Sequence, residues 1–128
     1  MEMIKKIGVV RIRASGLVFK DKKLIIVEHK KKGFNPYYVL PGGGIEHGES
    51  PEQALVREIK EEINLDVKIK NLVFYKTVYN DEDYSLDLVF RCEVVGGIVK
   101  NSDPDKKVIN IKYISSIDNS VNLYSRQQ

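Results

Sequence analysis

The chain has 128 residues, of which 42% are hydrophobic and 30% charged, and it carries a net charge of +3. That length suits one domain, spanning 1–128, with a proper core; the composition is that of a globular protein, and the charge falls short of a nucleic-acid-binding stripe. The single Cys92 excludes an internal disulfide, no apolar run approaches a membrane span, and the first residues lack a signal-peptide core, so the cytoplasm is the expected location.

Met1 to Lys6 reads as a ragged end or the start of an edge strand. Ile7 to Phe19, rich in Val, Ile and Arg, reads as one long strand or two. Lys20-Asp21-Lys22-Lys23 is a polar hairpin turn into a short buried strand, Leu24 to Glu28. His29 stands at that strand's end and is not assigned a ligand role. Lys30-Lys31-Lys32 with Gly33 forms a basic loop, read either as a solubilising face or as a phosphate-facing rim. Tyr37 to Leu40 is a strand that breaks at Pro41, and Gly42-Gly43-Gly44 follows as a turn able to approach a ligand closely.

From Pro51 to about Ile63 the pattern predicts a helix. Ser50 is a good N-cap, Pro51 suits the first helical position, and Gln53 completes a capping box. Leu55, Val56, Ile59 and Ile63 share one face, which is expected to be the buried one. Glu58, Glu61 and Glu62 lie at i, i+3 and i+4 on the opposite face, expected to point outward. Like charges four apart near a helix C-terminus are unfavourable by a few tenths of a kcal/mol. A hard divalent cation would relieve the conflict; the alternative is a solvated acidic surface.

Beyond the helix, Val67 to Tyr79 and Leu86 to Val95 read as strands joined by the polar segment Asn80 to Ser85. Cys92 lies in the second run and reads as inert core. Gly96-Gly97 is read as a turn, Asn101 to Lys107 as a loop, and Val108 to Ile114 as a strand. Ile117 to Leu123 has room for a helical turn or two. Strands flanking one strong helix suggest an α/β (α+β) domain with a mixed sheet.

Gly43, Glu49 and Arg57-Glu58-Ile59-x-Glu61-Glu62-x-x-Leu65 together resemble the signature of the Nudix hydrolases, Gly-x5-Glu-x7-Arg-Glu-apolar-x-Glu-Glu-x-Gly-apolar. Every spacing fits; the departure is Asn64 in place of the late Gly, and Asn is the next most tolerant residue for a left-handed helix end. The resemblance is strong over residues 37–65 and looser to about 114.

The resemblance implies the α/β/α sandwich of that family and hydrolysis of the diphosphate linkage in a nucleoside diphosphate joined to another group, X. It implies Mg²⁺ or Mn²⁺ held by Glu58, Glu61, Glu62 and the Gly43 carbonyl. The implied catalytic set is Glu58, Glu61, Arg57 and Glu49. Within it Glu58 or Glu61 is the candidate base, while Arg57 and Glu49 pair to pin the loop onto the helix. Gly42, Gly43, Gly44 and Tyr37 are the candidate substrate contacts, with Phe34 and Tyr84 as further aromatics for stacking on a base. A carboxylate from outside the motif, among Glu82, Asp83, Asp87, Asp103 and Asp105, is a further candidate. The expected partner is a nucleotide-derived small molecule. A nucleotide sensor and an enzyme acting on RNA 5′ ends are the alternatives, and exposed strands near the N-terminus could support a homodimer.

Overall fold

The computed structural model describes residues 9–79 and 83–115. The expected ragged start at Met1 to Lys6, Glu82 of the acidic segment and the expected helical turn at Ile117 to Leu123 lie outside the described residues, as does the side chain of Asp83. In chain order the elements are β1 (Val9–Lys20), β2 (Lys23–His29), β3 (Tyr37–Val39), β4 (Gly42–Gly44), α1 (Pro51–Ile63), β5 (Leu65–Tyr79), β6 (Asp83–Gly97) and β7 (Val108–Ile114). The result is an α/β fold with a mixed sheet and, among the described residues, one helix.

The long strand β1 organises the molecule. Along one side it runs parallel to β6, from Val9 opposite Asp83 to Val18 opposite Cys92. Along the other side its middle, Arg13 to Ser15, pairs antiparallel with the three glycines of β4. Its last residues turn into β2 through Asp21 and Lys22, both at positive φ. Two consecutive left-handed residues make the tight hairpin turn whose twist suits the flanking strands. On the far side of β6 lies β5, antiparallel, and β2 carries β3 and β7 on its two edges.

Several sequence expectations are corrected here. Gly42-Gly43-Gly44 is a strand rather than a turn, since pairing with β1 holds it extended. Asp83, Tyr84 and Ser85 belong to β6 rather than to a connecting loop, and Gly96 and Gly97 end that strand opposite Asp66 and Leu65. The β5–β6 pairing shifts register between Asp66 and Val67, Ile69 and Asn71, and Leu72 and Phe74. The first leaves Val95 of β6 as the extra residue, while the second and third leave Lys70 and Val73 of β5, and these two interrupt the alternation of β5.

The helix begins as its sequence dictates. The Gln53 N–H donates to Ser50 Oγ at 3.0 Å, and the Ser50 N–H donates to Gln53 Oε1 at 2.9 Å. It ends at Asn64, left-handed with φ 63° and ψ 29°, whose Nδ2 also donates to the Ile98 carbonyl at 3.0 Å. The Asn that replaces Gly thus occupies the conformation expected of it and adds a tie to the chain after β6.

The buried face of α1 differs from expectation. Ala54, Leu55, Ile59 and Ile63 are fully buried, while Val56 is 39% exposed and Glu62 is buried. Successive helical residues are about 100° apart, so the face is rotated toward position 62 and away from 56. Leu55, Ile59 and Ile63 pack with Ala14, Val18, Ile25, Val27, Leu65, Val67, Phe90, Cys92 and Val108 in the core. Gly16 permits this approach: a Cβ there would meet Cys92 Sγ at 3.0 Å and Ile59 Cδ1 at 3.1 Å. Burial raises the Cys92 thiol pKa to about 12, so the group is an inert core thiol, as expected. Val9, Val10 and Ile12 of β1 and Leu72, Phe74 and Tyr75 of β5 remain exposed.

Candidate active site

The backbone sets the site's frame. Gly42-Gly43-Gly44 is clamped to β1, with the Gly16 N–H donating to the Pro41 carbonyl at 2.9 Å and the Ile45 N–H to the Ile12 carbonyl at 3.1 Å. The acidic stripe of α1 lies against this strand. A Cβ on Gly43 would fall 2.4 Å from Cδ of Glu58 and 2.7 Å from both of its carboxylate oxygens. Position 43 is therefore glycine because a carboxylate occupies the space where a side chain would start.

Arg57 is the hub of the cluster. Its Nε donates to Glu49 Oε2 at 2.7 Å and its Nη2 to Glu49 Oε1 at 3.0 Å, a bidentate pair. Nη2 also donates to the Gly44 carbonyl at 3.2 Å, and Nη1 to Glu58 Oε1 at 2.9 Å and Glu61 Oε2 at 3.4 Å. The expected pairing of Arg57 with Glu49 is present, and it does tie the loop to the helix. The same guanidinium also offsets the repulsion among the glutamates. The hydrogen bonds from Arg57 and from the Glu46 N–H hold Glu49 below the usual carboxylate range, and the Arg57 pKa is raised, chiefly by Glu49.

The three helix carboxylates have different surroundings. Glu58 is half-buried, and burial raises its pKa despite the opposing influence of Arg57. Glu61 is the most open, its side chain 41% exposed. Glu62, expected to point outward, is only 5% exposed and makes two bonds. It accepts the Gly42 N–H on Oε1 at 2.9 Å, and its Oε2 lies 3.0 Å from His29 Nε2.

All three carboxylates open on one pocket of about 140 Å³, which Gly42, Gly43, Gly44, His29, Arg13, Asp103, Asp105 and Lys107 also line. Among the described residues no three acidic, imidazole or thiol groups already stand as a closed metal cage. The donor set nevertheless suits a hard cation in kind: three carboxylates line one pocket beside an extended glycine backbone, and Glu61 is held by a long 3.4 Å bond from Arg57.

The other expected site residues separate. Tyr37 does not line the pocket; its ring stands edge-on to that of His29, with centroids 6.0 Å apart. Phe34 is exposed and lies under Lys31 Nζ, 5.2 Å from its ring centre. Tyr84 stacks on Tyr79. Of the candidate outside acids, Asp87 accepts the Ser15 hydroxyl at 2.8 Å. Asp103 organises its own loop, accepting the N–H groups of Asp105, Lys107 and Val108. Asp105 lines the pocket without such an internal role.

Three lining residues were not among the expected ones. Arg13 and Lys107 bring positive charge to an acidic pocket, in place of the Lys30–Lys32 loop, which is not part of the lining. Arg13 is half-buried and makes no side-chain ion pair or hydrogen bond among the described residues. No spacing pattern could have found these two, because β1 and the 101–107 loop meet the helix only in three dimensions. The third is His29.

A mixed sheet around one capped helix, with its acidic stripe laid on a glycine strand and an Arg–Glu clamp closing the loop between them, defines the Nudix class of fold. Residues 9–120 match the NUDIX domain family, and the chain belongs to it. An ADP-ribose pyrophosphatase of Methanocaldococcus jannaschii is 37% identical over 101 residues, covering 75% of this chain and 58% of that protein. An NAD-capped RNA hydrolase of Pectobacterium carotovorum is 35% identical over 85 residues, covering 66% of this chain and 31% of that protein. The chain thus spans less than two thirds of the length of these relatives. The structure of a MutT NUDIX hydrolase from Burkholderia pseudomallei superposes with a TM-score of 0.77 at 17% identity, over 90% of this chain and 92% of that one.

Proposed function

We propose that the protein is a divalent-cation-dependent hydrolase of a nucleoside diphosphate linked to a group X, yielding a nucleoside monophosphate and phospho-X. The observation that carries this reading is the packing of Glu58 against Gly43 with Glu61 and Glu62 open to the same pocket. Glu58, Glu61, Glu62 and the Gly43 main chain would hold Mg²⁺ or Mn²⁺. When bound, such an ion supplies Lewis acidity, neutralising phosphate oxygens and making water more acidic.

The protein's own groups do the rest. Arg13 and Lys107 attract the diphosphate, and Arg57 with Glu49 keeps the helix and loop in register. Water attacks one phosphorus, the bond from that phosphorus to the bridging oxygen breaks, and the oxygen leaves as part of a phosphate monoester. A helix carboxylate takes the water's proton. Glu58 and Glu61 are the candidates for this step, and burial raises the basicity of Glu58. The pocket is smaller than the roughly 300–1,000 Å³ of most small-molecule sites. It therefore suits the diphosphate, with the base and X lying over its rim.

The test is a screen with Mg²⁺ or Mn²⁺ against ADP-ribose, nucleotide sugars, dinucleoside polyphosphates, nucleoside triphosphates and 5′-capped RNA, with and without EDTA. The name of the Methanocaldococcus relative puts ADP-ribose first. Turnover that EDTA abolishes is expected. Nucleotide binding without any turnover would overturn the enzyme reading in favour of a sensor.

The glycine strand yields a second expectation. Gly43→Ala should displace Glu58 and weaken Mn²⁺ binding by about 10- to 100-fold. Far-UV circular dichroism should stay unchanged. Wild-type Mn²⁺ affinity in this variant would show that the closeness of Gly43 and Glu58 is irrelevant to the site.

A further inference from the structure

We infer that His29 is a positioning residue for Glu62, holding that carboxylate in the orientation the cation site requires. The inference rests on the metal-dependent reading above and deepens it.

A carboxylate as buried as Glu62 is tolerated when its oxygens are hydrogen-bonded. It has two neighbours that can serve. One is the Gly42 N–H, supplied by the backbone of β4 whatever the residue type. The other is the His29 ring, 33 positions away in sequence, whose Nε2 lies 3.0 Å from Oε2. A carboxylate that holds a cation is ionised and only accepts, so in the cation-binding state Nε2 is the ring nitrogen that carries the hydrogen and donates. Each oxygen of Glu62 then has one donor, and its remaining acceptor capacity is available toward the pocket.

Two further features concern the histidine itself. The regular pairing of β2 with β3 sets His29 directly opposite Tyr37. The Tyr37 ring then meets the imidazole edge-on at 65°, limiting the rotation of its plane. His29 is 15% exposed at its side chain and lines the same pocket as the three glutamates. Strand register, ring packing and hydrogen bond together direct one imidazole at one carboxylate. Partners that orient metal-ligating carboxylates in this way typically change metal affinity by about 10- to 100-fold when removed.

The test compares His29→Ala, His29→Gln and His29→Phe with the wild type by Mn²⁺ titration, read from the EPR signal of the free ion without substrate. Thermal unfolding is measured alongside. Glutamine can place its amide nitrogen where Nε2 stands, whereas phenylalanine keeps the ring against Tyr37 but has no donor. The expected result is Mn²⁺ binding weakened about tenfold or more in His29→Ala and His29→Phe, and largely restored in His29→Gln. Wild-type affinity in His29→Phe would overturn the role, as would a His29→Gln variant as weak as His29→Phe. The phenylalanine and glutamine pair decides the matter should the alanine variant not fold. A wild-type protein that binds no Mn²⁺ would overturn the metal reading itself, and the role of His29 with it.

Discussion

Glu58→Gln should lower kcat by about 10²- to 10⁴-fold, the usual contribution of a positioned proton acceptor, and it should not unfold the protein. Glutamine keeps the side-chain oxygen that accepts the Arg57 Nη1 hydrogen at 2.9 Å. It also removes a charge that burial disfavours, as the raised pKa of Glu58 shows. A carboxyl whose folded pKa is raised lends stability while it is protonated and loses that contribution as the pH rises through the folded pKa. At neutral pH the cation-free variant is therefore expected to melt at the same temperature as the wild type or higher. Added Mn²⁺ should raise the wild-type melting temperature, because a ligand that binds only the folded state stabilises it, and should raise that of the variant less. Steady-state kinetics and thermal melts with and without Mn²⁺ measure both arms. Near-normal turnover in Glu58→Gln would remove this residue from the chemistry.

Leu55→Ala should cost roughly 2–5 kcal/mol of stability, the range for a large-to-small change in a packed core. Leu55 has no exposed surface and sits in the cluster that α1 forms with β1, β2, β5 and β6. Val56, one residue later, is 39% exposed. Val56→Ala is the internal control and should fall within the small effects of ordinary surface substitutions, about 0.5 kcal/mol. Urea unfolding of the two variants measures the difference. Equal costs at the two positions would mean that the helix packs with a different face inward.

The helix and its motif were legible because their determinants are local. Ser50 and Gln53 cap each other across three residues, Asn64 tolerates the left-handed conformation that ends the helix, and Arg57 reaches Glu49 over eight positions. The orientation of the helix was only partly legible. Treating every glutamate as outward-facing placed Glu62 in solvent, although it follows Ile59 by three and Leu55 by seven and so borders the apolar stripe. Val56 reads as core for the complementary reason: its type is apolar, but it lies on the exposed side of the helix. His29, Arg13 and Lys107 were not legible as site residues. Each depends on neighbours that only the folded chain brings together, as His29 does on Tyr37 of β3 and Glu62 of α1.

The clamping of Gly42-Gly43-Gly44 onto β1 bears on how the pocket comes apart on warming. Segments that open independently are those with few backbone partners and little contact with the core. The glycine strand is the reverse: β1 holds it along its length, and β1 is itself paired to β6 between Val9 and Val18. Glu62 reaches it from the helix, whose apolar side is the core. This part of the pocket is therefore expected to open only with the sheet. Thermal inactivation and loss of the sheet should accordingly share one midpoint, and the protein's working temperature range is set by its global fold.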